Sequence, residues 1–342
     1  MHKDNFLFYA PNVHTGGGFV LLQSLLRSWP ADFCFVAWLD ERARNRLDLP
    51  ANAKVEWVSP TFSSRISAEL SLAKVATSNH RVFCFHGLPP LLIKKSKIII
   101  FQQNRNYFGL VDLSTFEWRT RQRVRFEQTV AYLFRERCKE YWVQTPSMAL
   151  ALKKWYGDKP VSISVLPFTE PSVFFKKIEH PKWDFIYVAD GVAHKNHIRL
   201  IEAWVLLAQQ GIRPSLALTL STRDTSLHLW IQDQIESHGL NISNLGQMDH
   251  HMLLSLYGQS TALIFPSLSE SFGLPLIEAR QAGLPIVASE LDFVRDVCEP
   301  SQTFDPNSAT SIQRAVKRFI GQADLPLNPL SAAEFLRAIL GP

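Results

Sequence analysis

The chain has 342 residues, 46% of them apolar and 20% charged, which is the make-up of a globular protein with room for two ordinary domains. No apolar run reaches the roughly 20 residues of a membrane-spanning helix, and the first residues show neither an extended apolar region nor a cleavage motif, so a cytosolic protein is expected. Residues 1–170 hold 23 Lys/Arg and 14 Asp/Glu (net +9), whereas residues 171–342 hold 13 and 17 (net −4), so the first half should be drawn to an anionic surface or substrate.

Short β-type runs alternate with helical segments along the whole chain, the pattern of an α/β fold with parallel sheets. In the first half the strand runs are 6–10, 33–39, 54–58, 82–85, 98–102 and 141–144. Helices are expected over 19–28, 114–139 and 147–155. In the second half strands are expected at 185–189, 216–220, 242–245, 262–265 and 286–289. Helices are expected there at 196–210, 227–238, 250–258, 275–282, 308–321 and 331–340. The strand runs are continuously apolar, as strands covered on both faces are. The proline-rich stretch from Leu166 to Pro181 changes the character of the chain. The boundary is set there, giving domains 1–170 and 171–342.

Cys34, Cys84, Cys138 and Cys298 are far apart and form no metal-ligand spacing. They read as inert core residues, and no metal site is expected.

Residues 262–289 read ALIFPSLSESFGLPLIEARQAGLPIVAS. A buried strand ends at Pro266, a loop follows, and a short helix opens with Pro275 at a position suited to a first turn. Gly283 closes that helix. Ser271, Phe272, Gly273 and Leu274 form the strand-to-helix turn. Free N–H groups at a helix start make an anion site, and Gly273 lets a phosphate approach the backbone. Such a turn lies at the C-terminal edge of the sheet, where open α/β sheets bind ligands. Glu270 and Glu278 flank it, eight residues apart. Carboxylates repel phosphate, so they suit the neutral hydroxyls on either side of a diphosphate. Taken singly, each glutamate is also explained as a solvated loop residue or a complement to the helix dipole.

The Glu270-to-Glu278 spacing, with Pro266-Ser267, Phe272-Gly273-Leu274-Pro275 and Gly283-Leu284-Pro285 around it, resembles the EX7E signature of retaining GT-B glycosyltransferases of family 4. The likeness covers about thirty contiguous residues. It implies two facing Rossmann-like domains with parallel sheets and a nucleotide-sugar donor, UDP- or GDP-linked. It implies that Glu278 holds the ribose and that Glu270 lies near the transferred sugar, with no metal required. Same-face attack by an acceptor hydroxyl and retained anomeric configuration are also implied.

The remaining positions are placed around this motif. Lys195, in the turn after the strand at 185–189, matches the lysine of the family's basic pair. Asp190 stands near the position of the usual arginine. The charge developing on a leaving diphosphate needs a cation, so Lys195 is assigned as catalytic. For Gln247 and Met248, after the strand at 242–245, the resemblance implies a place beside the nucleotide base; an ordinary strand-end turn is the other reading.

In the first half, Gly16, Gly17 and Gly18 stand between a strand and a helix, where backbone can approach a phosphate; tight strand–helix packing is the other reading. His86 follows the fourth strand, where the resemblance implies a histidine that contacts the sugar; a satisfied loop histidine is the other reading. Asn104 and Arg105 sit where many relatives have His-Asp. The glycine run is not the GxGxxG of a dinucleotide fold, and only Asp40 ends the second strand with an acid, so a nicotinamide enzyme is disfavoured.

The stretch 118–139 carries seven basic residues with Phe126, Val130 and Leu133 at helical spacing. It reads either as a basic helix lying on an anionic membrane or as a solvated face over an ordinary core stripe. The expected partners are a nucleotide-sugar, a glycan or lipid-linked oligosaccharide acceptor and an anionic membrane surface. No nucleic-acid fold is seen. The alternatives kept are a GT-B epimerase, a non-catalytic nucleotide-sugar binder and, further off, an NAD-dependent oxidoreductase.

Overall fold

In the first strand, β1 (Phe6–Ala10), Leu7 and Tyr9 enter one apolar cluster while Phe8 and Ala10 enter another. That is why the run is apolar without alternation: the sheet it belongs to is covered on both faces. The structure is a computed structural model and describes residues 6–85, 87–93, 96–108, 118–169, 179–221, 225–325 and 329–340.

The first sheet continues with β2 (Val36–Asp40), β3 (Lys54–Val58), β4 (Arg81–Cys84), β5 (Lys97–Phe101), β6 (Glu140–Val143) and β7 (Ser162–Val165). The second contains β8 (Trp183–Tyr187), β9 (Leu216–Leu218), β10 (Ile242–Asn244), β11 (Ser260–Phe265), β12 (Ile286–Ser289) and β13 (Gln302–Phe304). The helices between them are α1 (Gly16–Arg27), α2 (Phe62–Val75), α3 (Trp118–Phe134), α4 (Pro146–Tyr156), α5 (His197–Gln209), α6 (Thr225–His238), α7 (His250–Gly258), α8 (Leu274–Gln281), α9 (Asp292–Arg295), α10 (Ala309–Phe319) and α11 (Ala332–Leu340).

The sheet orders are β3-β2-β1-β4-β5-β6-β7 and β10-β9-β8-β11-β12-β13, and every ladder is parallel. Both follow the doubly wound Rossmann order. In each, the crossover direction reverses between the first strand of the domain and the fourth. The loops after β1 and β4, and after β8 and β11, therefore lie at topological switch points, where such sheets open a ligand crevice. The expected boundary at residues 170/171 falls outside the described residues.

Edge strands β7 and β13 and helix α2 go beyond the expected elements. Ser162–Val165 and Gln302–Phe304 are too short and too polar to show a strand signal, and they pair only along one side. Helix α2 buries Ala68 and Leu72 inward while Phe62, Ile66 and Leu70 face out, which blurs its amphipathic pattern. The basic helix does set a solvated face over a buried stripe, but the stripe is not the expected one. Val124 and Ala131 are its buried residues, whereas Phe126 and Leu133 are 68% and 67% exposed. Helix α10 buries Ile312, Ala315 and Val316 and packs on α5 and on β13 of the second sheet.

Candidate active site

The loop after β11 runs from Pro266 to Gly273 and feeds α8. Gly273 takes a positive φ of 73°, and no side chain caps the helix start. A side chain at Gly273 would be strained in this left-handed region and would press on Leu276 at 3.1 Å. The turn thus leaves the first amides of α8 without a side-chain partner at the positive end of the helix dipole.

Lys195 is delivered to the same place by a different device. Asn196 is the one non-glycine residue with positive φ (63°) among those described. Its buried side-chain amide donates to the Pro266 and Pro306 carbonyls at 3.1 and 2.8 Å. The Leu268 N–H donates to the His194 carbonyl at 2.8 Å, and the Tyr187 hydroxyl donates to that of Lys195 at 2.5 Å. These bonds lock the loop after β8 onto the loop after β11. The result is a Lys195 Nζ to Glu270 Oε1 ion pair of 2.7 Å, largely shielded from water. Beneath it, burial and then Lys195 push the His197 imidazole down to about 4, so His197 is neutral. His194 and His197 both stand at the entry to α5. His197 also packs its ring 4.9 Å from that of Tyr187.

Glu278 lies on the first turns of α8 and is only 5% exposed. Both carboxylate oxygens are held: Oε1 by His250 Nε2 at 2.9 Å and Oε2 by the Tyr257 hydroxyl at 2.8 Å. His250 and Tyr257 stand seven residues apart on α7, hence on one helix face. Sequence reasoning missed both; the seven-residue spacing was the available signal. Helix α7 begins just after the loop that carries Gln247 and Met248. Gln247 is exposed, Met248 is half-buried against the core, and Gly246 has φ 77°.

The first domain contributes from across the crevice. Gly16 to Gly18 open α1, whose Thr15 makes no side-chain cap. A Cβ added to Gly17 would stand 3.0 Å from Leu274 Cδ1, so this glycine run abuts the start of α8. The backbone N–H of Arg105 donates to Ser271 Oγ at 3.2 Å, and its Nη1 to the Glu270 carbonyl at 3.4 Å. A cavity of about 90 Å³ is lined here by Asn104, Arg105 and Asn106 on one side and His194, Glu270 and Ser271 on the other. Phe272 is buried in the second-domain core and supports the turn from behind. His86 lies outside the described residues. Lys195, Glu270, Ser271, Gly273 and Leu274 are therefore brought together with Gly17, while Glu278 faces α7 and the Gln247 loop.

Asp40 is fully buried and spoken for. Arg42 grips it with Nε at 2.9 Å and Nη2 at 2.7 Å, and the Arg42 N–H adds a third bond. Burial works to raise its carboxyl, but these bonds hold it below the ordinary carboxylate range. That removes the acid an NAD site would use for ribose. Among the described residues no group of His, Cys, Asp and Glu could hold a metal ion, and no helix is long and apolar enough to cross a membrane.

Residues 169–333 match the family model described as glycosyl transferases group 1. The match covers the loops after β8 and β11, α7 and α8. An O-antigen chain mannosyltransferase, RfbU of Salmonella typhimurium, is 25% identical over 189 residues, 53% of this chain and 51% of that protein. The serotype-specific mannosyltransferase WbdA of Escherichia coli is 33% identical over 88 residues, 25% of this chain and 11% of that protein. The chain thus spans only a part of the curated relatives it matches. Among solved structures, Anabaena HepE in complex with UDP and glucose superposes with a TM-score of 0.67 at 14% identity, over 92% of this chain and 89% of that one. The lipopolysaccharide outer core galactosyltransferase WaaB gives a TM-score of 0.62 at 15% identity, over 92% and 90%. At these identities the likeness establishes the fold, which is GT-B: two Rossmann-like domains, each on a parallel sheet.

Proposed function

We propose that this chain is a nucleotide-sugar-dependent glycosyltransferase that builds a cell-surface polysaccharide. It moves a hexose-type sugar, with retention of configuration, to a hydroxyl of a growing lipid-linked glycan. The observation that carries this reading is the convergence of Lys195, Glu270 and the uncapped start of α8 at the second domain's switch point, with Gly17 of the first domain packed against Leu274. The family match over residues 169–333 supports it, as do relatives described as mannosyltransferases.

In this reading the diphosphate lies over the amides at Gly273 and Leu274, and the glycine turn of α1 covers it from the other side. Glu278, pre-positioned by Tyr257 and His250, accepts the ribose hydroxyls. Glu270 accepts hydroxyls of the sugar. The bond between the anomeric carbon and the diphosphate oxygen breaks, and Lys195 neutralises the charge left on the departing phosphate. The acceptor oxygen bonds to the same face, and its proton passes to the leaving phosphate. No metal is required.

A peripheral membrane contact belongs to the same proposal. Trp118, Phe126 and Leu133, spaced eight and seven residues apart, share the outer face of α3 and are each about two-thirds exposed. Arg119, Arg123 and Arg125 flank them. That is the arrangement of a helix lying in an anionic interface, and it would bring the crevice to a lipid-linked acceptor.

The test is a panel of UDP-, GDP- and ADP-linked sugars, mannose among them, screened by thermal shift and then by nucleotide release with and without a chelator. NMR of the product reports the anomeric configuration. Donor binding with release that survives chelation is the expected result. A protein that binds none of these donors is not a glycosyltransferase of this kind.

A further inference from the structure

Arg105 belongs to the first domain by sequence and to the second by contact. It is the first residue of a short turn, Arg105–Phe108, that follows β5. Its backbone N–H donates to Ser271 Oγ, and its Nη1 reaches the Glu270 carbonyl at 3.4 Å. The acidic groups acting on it are Asp292 and Asp296, also of the second domain. Its Nε is buried and has no hydrogen-bond partner. The side chain lines the same cavity as His194 and Glu270.

These facts are hard to reconcile with a purely structural arginine. A guanidinium taken out of water normally makes short, charge-assisted bonds of about 2.7–2.9 Å, often two in parallel. Here one bond is long, it ends on a neutral carbonyl, and the Nε donor is unused. Aspartates 292 and 296 make no hydrogen bond to it that would fix it in place. The charge balance of the cavity points the same way. Lys195 is already neutralised by Glu270 at 2.7 Å. A diphosphate entering beside that pair brings more negative charge than one shared ammonium offsets, in a setting where unscreened charge is costly.

We propose that Arg105 is the second cation of the donor site: on binding of a nucleotide-sugar its guanidinium moves from the Glu270 carbonyl onto the diphosphate. The step forms and breaks no covalent bond. It rests on the glycosyltransferase reading and adds to it a named residue supplied by the first domain. Arginine suits the task because its planar fork can hold a phosphate with two parallel bonds.

The experiment uses the full chain and the variants Arg105→Ala, Arg105→Gln and Arg105→Lys, with circular dichroism to check folding. Binding of UDP, GDP and ADP, and of the matching nucleosides, is measured by calorimetry. For the diphosphate the wild type binds best, Arg105→Ala and Arg105→Gln should weaken affinity at least about tenfold, on the scale of a lost charge-assisted pair. Affinity for the nucleoside should change less than about twofold, and Arg105→Lys should recover part of the loss. Equal losses for nucleoside and diphosphate would mean that Arg105 only packs the interface. Unchanged diphosphate affinity in a folded variant overturns the inference and leaves the transferase reading standing. Should Arg105→Ala not fold, Arg105→Gln, which keeps most of the bulk, decides the matter. A wild type that binds none of the three diphosphates overturns both readings together.

Discussion

Lys195 Nζ and Glu270 Oε1 stand 2.7 Å apart, joining the loop after β8 to the loop after β11. The pair is 16% and 12% exposed, so neither charge is well hydrated and each depends on the other. In the proposed function a donor diphosphate competes with Glu270 for Lys195. Lys195→Ala should therefore lower turnover more than about tenfold, since losing a cation at a developing negative charge costs at least about 1.4 kcal/mol. Glu270→Gln should lower turnover while donor affinity holds or rises, because Lys195 is released from its partner. Steady-state kinetics beside calorimetric donor binding separates the two outcomes.

Glu278 has its two oxygens held by His250 and Tyr257 before any ligand arrives. Glu278→Ala should weaken donor binding strongly, and unchanged affinity would remove the ribose role. Tyr257→Phe leaves one buried carboxylate oxygen without its donor, a loss of about 1–3 kcal/mol. The donor KM should rise several-fold with little change in kcat, because the defect lies in pre-positioning. The melting temperature should fall as well.

His197 gives the molecule an acid-side weakness. Its imidazole titrates near 4 when folded, against an ordinary 6.5, because it is buried and lies beside Lys195. Between pH 6.5 and pH 4 the unfolded chain takes up a proton that the native state refuses. Stability therefore falls with decreasing pH across that window, by up to about 3 kcal/mol, and this contribution levels off below it. In His197→Gln this part of the slope should vanish. Urea unfolding of both proteins at steps from pH 4 to pH 7 measures the difference; parallel curves would rule the assignment out.

Phe126 and Leu133 are on the outside of α3. Phe126→Glu with Leu133→Glu should abolish sedimentation with phosphatidylglycerol-containing vesicles and leave turnover on a soluble acceptor intact. Binding to neutral phosphatidylcholine vesicles should be weak for either protein. Wild-type protein that ignores the anionic vesicles would end the membrane proposal.

Much of this was legible along the chain. The strand-to-helix turn at Gly273 announces itself because glycine, proline and the strand run before them are local signals, each acting within a few residues. The alternation of strands and helices settles a parallel α/β architecture for the same reason. Helix α2 and strands β7 and β13 were illegible because their apolar residues are few or face outward, so no period stands out. For the basic helix, spacing alone could not tell which stripe is buried: Val124 and Ala131 face in, Phe126 and Leu133 out.

What the sequence determined by itself is therefore the set of loops and the chemistry they carry: a glycine turn at 16–18, a cation at Lys195, and glutamates on either side of Gly273. Tertiary structure decided the pairings. Lys195 meets Glu270 across 75 residues, Tyr257 and His250 claim Glu278, and Arg105 reaches Ser271 across 166 residues from the other domain. Those partners depend on the order of strands in each sheet and on how the two domains close. These are properties of the packed chain that no short stretch of residues contains.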